Sequence, residues 1–161
     1  MDIVKIMADL SKSRPVYHSE TDFQFTMAWH IQQKYKNAKV RLEYSYKDNH
    51  KKHLYLDIYI SLEGINYGIE LKYKTKYAQI CCEHETFELS EHGAVGNALY
   101  DYWKDVQRLE YLIQKKVIHH GYAIFLTNDS AYWKEPKRAA NYDSISNRSA
   151  HKKRGYPDHC V

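Results

Sequence analysis

The chain has 161 residues, 43% hydrophobic and 27% charged, an ordinary balance for one globular domain large enough to bury a core. Its longest apolar run, Tyr122 to Leu126, is far too short for a membrane-spanning helix, and no signal-peptide core follows Met1. The net charge of +4 is uneven: Lys134 to Arg154 carries seven basic residues against two acids, leaving the rest of the chain nearly neutral, a pattern that suits a polyanionic partner and equally a solvated tail.

Residues 1 to 18 show little periodicity, and Arg14-Pro15 marks a turn. Ser19 then caps a helix, with Asp22 placed to reach back, and Phe23, Met27, Ile31 and Tyr35 follow at helical spacing. Val40 to Tyr46 alternates apolar and polar residues, which predicts a strand, and the polar residues 47 to 52 predict a turn. "HLYLDIYI" and "NYGIELKYK" are two further strands joined by a tight turn at Glu63-Gly64. That turn sets Ile58 opposite Ile69, Ile60 opposite Tyr67, Leu56 opposite Leu71 and Leu54 opposite Tyr73 on one apolar face. The other face then pairs Asp57 with Glu70, Tyr55 with Lys72 and Tyr59 with Gly68.

Residues 75 to 96 form a polar connection with a short element near Phe87 to Leu89. The chain's three cysteines make no disulfide framework, which predicts a reducing, cytoplasmic setting. Cys81, Cys82, His84 and His92 could bind zinc, but adjacent cysteines lack the usual gap between paired zinc ligands. A long helix is expected from about Asn97 to Lys116, with Leu99, Trp103, Val106, Leu109 or Glu110, and Ile113 inward, and Asp101, Lys104, Asp105 and Arg108 largely outside. "YAIFLT" reads as a strand buried on both faces. The order predicts an α/β layer fold over 1-135, a mixed sheet with a central hairpin flanked by helices, followed by a basic polar tail over 136-161 that is disordered or truncated.

Facing carboxylates at Asp57 and Glu70 repel unless a cation or a shared proton lies between them, and oxygen ligands of this kind suit Mg²⁺. Lys72, on the same face, can orient or help deprotonate a water directed at phosphorus. Asp57, then Glu70-Leu71-Lys72 on the next strand of the hairpin, resembles the signature of the PD-(D/E)XK, or restriction-endonuclease-like, nucleases. Glu20 matches the acid that family often carries in the preceding helix, and Gln107-Arg108-Leu109-Glu110-Tyr111 matches the Gln-x-x-x-Tyr of its RecB-like members. Leu56 stands where the family often has proline.

The resemblance implies a restriction-endonuclease-like sheet and hydrolysis of phosphodiesters, chiefly in DNA. It implies Mg²⁺, or Mn²⁺ in its place, held by Asp57, Glu70, the Leu71 carbonyl and Glu20, with Lys72 placing or activating the water. Gln107 and Tyr111 would steady the site from the neighbouring helix, and the protein could act as a homodimer. The basic tail and the 16 tyrosines would contact phosphates and bases. The alternative is a catalytically inactive domain of the same fold that binds nucleic acid or a protein partner.

Overall fold

The computed structural model describes residues 1–47, 53–82 and 84–134; the expected tail over 136-161 and most of the first turn lie outside the described residues. Helix α1 (Ile3–Ser13) starts on Asp2, whose side chain accepts the Lys5 N–H, and buries Ile6 and Leu10. The sequence reading left this segment unstructured, although Ile3, Ile6, Met7 and Leu10 lie at helical spacing. Helix α2 (Glu20–Lys34) begins at Ser19 as expected. Asp22 reaches back to accept the His18 N–H, and its Oδ2 also pairs with Arg14 at 2.9 Å.

Strands β1 (Lys39–Lys47), β2 (His53–Leu62), β3 (Ile65–Lys74) and β6 (His120–Thr127) form one mixed sheet in the order β1-β2-β3-β6, with β3 and β6 parallel and the other pairs antiparallel. The coarse α/β reading therefore holds. The β2–β3 turn is a two-residue one: Glu63 at φ 51° and Gly64 at φ 78° give the doubly left-handed conformation that matches strand twist. Between β3 and β6 the chain forms a separate hairpin, β4 (Ala78–Cys82) and β5 (Glu85–Leu89), and then helix α3 (Val95–Gln114). This hairpin rests on the α1–α2 connection, where the His18 ring stacks on Phe87 at 4.4 Å. Strand β6 was expected to be buried on both faces. Among the described residues it is instead an edge strand, half-buried along most of its length.

Two cores sandwich the sheet. Helices α1 and α2 cover one face through Ile6, Leu10, Phe23, Met27 and Ile31, packed on Ile58, Ile60, Ile69 and Leu71. Leu109 and Leu112 of α3 cover the other, with Leu56 and Ile118. The seat of α3 is made by two glycines that pair across β3 and β6, Gly68 and Gly121. A Cβ on Gly121 would stand 2.9 Å from the Leu109 Cβ, and one on Gly68 would stand 2.8 Å from Ile118 Cδ1. The helix lies this close only because both side chains are missing.

The stripe expected on α3 is rotated. Asp105, Leu109 and Leu112 face the sheet, whereas Trp103 and Ile113 are exposed. The Leu109 Cβ is fixed directly to the helix backbone and cannot swing aside from a new methyl on Gly121. Gly121→Ala should therefore cost about 1–3 kcal/mol in a urea denaturation, with the denaturant slope unchanged.

Candidate active site

The alternation of side chains breaks at one place in two strands. Val40 and Leu42 pack with the α2-side core, but Tyr44 and Tyr46 pack with the α3-side core. Ile58 and Leu56 divide in the same way, so residues two apart that should share a face lie on opposite faces. The residues between them are Glu43, at φ 49° in left-handed backbone, and Asp57. Both drop out of the β1–β2 pairing, which passes from Leu42↔Ile58 to Tyr44↔Leu56. Buried Gln24 of α2 fills the break: its Nε2 donates to Glu43 Oε1 and to the Asp57 carbonyl, each at 2.8 Å.

The same break opens the β2–β3 ladder. The expected register holds from Leu62↔Ile65 to Ile58↔Ile69 and then stops. The pairs Asp57–Glu70, Leu56–Leu71, Tyr55–Lys72 and Leu54–Tyr73 are not made, because the strands part at Asp57. Carboxylates take over the backbone of β3 beyond that point. The Leu71 N–H donates to Asp57 Oδ2 at 2.6 Å, and the Tyr73 N–H donates to Glu20 Oε2 at 2.7 Å. These amides are two residues apart and point to one edge of the strand. The Leu71 carbonyl projects to that edge as well, since N–H and C=O of one residue share a side. Asp57, Glu20 and Leu71 are thus brought together along the opened edge.

Glu70 and Lys72 project from β3 toward α3, where two residues of opposite charge meet them. Glu70, 2% exposed, pairs with Arg108 Nη1 at 2.8 Å, and Lys72 pairs with Asp105 at 2.8 Å. Arg108 Nη1 also lies 3.4 Å from Asp105 Oδ1, which links the four charges. Burial pushes the Glu70 carboxyl up to about 8; the Asp57 charge adds to the rise, and Arg108 offsets only part of it. Asp57 is raised in the same sense, first by burial, with the Leu71 amide and Lys72 working the other way. Burial also opposes the charge on Lys72, but the Asp105 contact and charge outweigh it and lift the ammonium above its ordinary value. Lys72 therefore stays protonated at neutral pH. It can orient a water or a phosphate oxygen, but it cannot accept a proton in this arrangement.

Gln107 is exposed on the side of α3 away from the sheet and makes no contact with the site among the described residues. Tyr111 packs beside the α3-side core. Asp105, Arg108, Gln24 and Glu43 went unrecognised in the sequence. For Asp105 the signal was present: with Leu109 and Leu112 it follows the inward helical spacing. Cys81 is exposed, and His92 is engaged by the Thr75 N–H at 3.0 Å. Among the described residues no three His, Cys, Asp or Glu side chains are grouped to share one ion as they stand. Asp57, Glu70, Glu20 and the Leu71 carbonyl nevertheless fit a hard divalent cation in donor type. Burial raises both carboxyls, and neighbouring acids add to the rise, Glu20 and Glu43 at Asp57 and Asp57 at Glu70, a gathering of carboxylates that such a cation would relieve.

Comparison with family models, curated proteins and solved structures returns no match. No helix among the described residues is long and apolar enough to cross a membrane.

Glu70 also sets a pH dependence. It protonates near 8 when folded and near its ordinary 4.5 when unfolded, so between these values the folded chain holds the extra proton. The stabilisation is complete below the lower value and is lost as pH rises through the upper one; Asp57 acts with the same sign. Wild type should lose stability from about pH 5 to about pH 8.5, and Glu70→Gln should flatten that slope, as read by denaturation at a series of pH values.

Proposed function

We propose that this protein is a divalent-cation-dependent hydrolase of phosphodiester bonds, with DNA as its substrate and a restriction-endonuclease-like arrangement of its sheet. The observation that carries the reading is the opened ladder. Asp57 and Glu20 lie along one freed edge of β3, and burial raises both the Asp57 and the Glu70 carboxyls, with the Asp57 charge adding to the rise at Glu70 and the Glu20 charge to that at Asp57. Carboxylates beside a backbone edge, with a charged lysine on the same strand, are the parts needed to bring a cation, a water and a phosphate together.

Asp57, Glu70 and the Leu71 carbonyl would hold Mg²⁺ or Mn²⁺, with Glu20 as a further oxygen donor. A bound cation of this type supplies Lewis acidity at phosphorus and lowers the pKa of water. The chain's own residues do the positioning. Gln24 fixes the Asp57 backbone through its carbonyl. Lys72, kept charged by Asp105, offers hydrogen-bond donors to the incoming water or to a phosphate oxygen. Because Lys72 stays protonated, the proton of the attacking water has to pass to a carboxylate or to solvent.

A second reading has an observation of its own. Glu70 and Lys72 are already engaged by Arg108 and Asp105, so the same face could bind a phosphate backbone without cutting it. Incubation of the purified protein with plasmid, linear duplex, single-stranded DNA and RNA in Mg²⁺ or Mn²⁺ separates the two. The hydrolase reading expects cleavage that falls at least about 100-fold in Asp57→Asn and in Glu70→Gln. Gln107→Ala, altering an exposed residue, should stay within about threefold of wild type. Survival of all four nucleic acids in both metals would remove the hydrolase reading.

A further inference from the structure

The guanidinium of Arg108 is only partly used. Its Nη1 meets Glu70 Oε1 at 2.8 Å and approaches the Tyr55 carbonyl at 3.5 Å and Asp105 at 3.4 Å. Among the described residues, Nε and Nη2 have no hydrogen-bond partner. An arginine meant only to neutralise a buried carboxylate gains most from a two-pronged contact, in which two nitrogens face two oxygens. Here the contact runs through one nitrogen, although the Glu70 partner is almost fully buried. The Arg108 side chain is 27% exposed, so part of it remains open to solvent.

We infer that Arg108 is the phosphate-binding residue of this site, anchored through Nη1 on Glu70 and presenting its Nε–Nη2 edge to two oxygens of a nucleic-acid phosphate. The geometry of that edge matches a phosphate, which takes planar, paired donors as a carboxylate does. The anchor fixes the side chain in advance, so little rotamer freedom remains to be lost on binding. Asp105 serves as the second brace: it holds Lys72 at 2.8 Å, leaving both cations of the face pointed and restrained. Two restrained cations on one face give a phosphodiester a fixed orientation, with one phosphate on Arg108 beside the acids of the opened strand edge.

The inference rests on reading this face as a phosphodiester site, but its test does not require cleavage. A fluorescently labelled DNA duplex and the matching single strand are titrated without divalent cation, and anisotropy is followed across a series of salt concentrations. Arg108→Gln should weaken binding about tenfold and lower the dependence of log Kd on log salt by about one. Arg108→Lys keeps a positive charge toward Glu70 and so guards against a folding defect. It should keep the salt dependence but still lose affinity, because it lacks the forked edge. Lys104→Gln removes an exposed charge of the same helix and should change binding less than about threefold.

Equal affinity and equal salt dependence in wild type and Arg108→Gln would overturn the assignment, as would a loss of the same size in Lys104→Gln. Failure of wild type to bind either oligonucleotide at low salt would overturn it too. Binding that depends on Arg108 with no cleavage in Mg²⁺ or Mn²⁺ supports the assignment while retiring the hydrolase. Cleavage that persists in Arg108→Gln with unchanged affinity does the reverse.

Discussion

The structure turns on two crossed ion pairs between β3 and α3. A central strand carrying Glu70 and Lys72 places an acid and a base inside a sheet, where an unpaired charge costs several kcal/mol. Helix α3 answers with the opposite order of charges, Arg108 over Glu70 and Asp105 over Lys72. Removing any one of the four would strand its partner, so the set behaves as a unit. This requirement also fixes which side of α3 faces inward. Asp105 is 4% exposed while Trp103 is 56% exposed, an inversion of what hydrophobicity alone would choose.

A second constraint is the parting of β2 from β3. An antiparallel ladder that ran on past Ile58 would consume the backbone groups of β3 in ordinary sheet pairing. Instead the strands separate, and side-chain carboxylates from β2 and α2 satisfy the Leu71 and Tyr73 amides. The break is held open by Gln24 and by the left-handed backbone at Glu43, an uncommon conformation for a glutamate within a strand. Local irregularity of this kind gathers where a protein sets groups for binding or chemistry.

Much of the scaffold was legible. The cap at Ser19, the turn at Glu63-Gly64 and the pairing of Ile58 with Ile69 follow from local chemistry and from the need to bury one face of a hairpin. Asp57, Glu20, Glu70 and Lys72 stood out because charged residues in a central strand need an explanation. Less legible was how they meet. Strict alternation set Asp57 opposite Glu70, and nothing in "VRLEYSY" announces that Glu43 turns left-handed and carries both strands' apolar stripes across the sheet. The helix α3 stripe was misjudged for a related reason: an aspartate that faces a lysine across a core looks, in one dimension, like a solvent-facing residue. An apolar run such as "YAIFLT" likewise does not tell an edge strand from a central one, because edge or centre depends on which neighbours arrive.

The bare patch made by Gly68 and Gly121 reaches further than packing. Side-chain reach, not backbone, spans the gap between helix and sheet, and ion pairing falls away once donor and acceptor separate beyond hydrogen-bond range. A helix riding higher would leave the arginine and aspartate short of their strand partners, and water would enter between four charges now shielded from it. The electrostatic character of this face is thus set in part by two absent methyl groups, in residues that carry no charge.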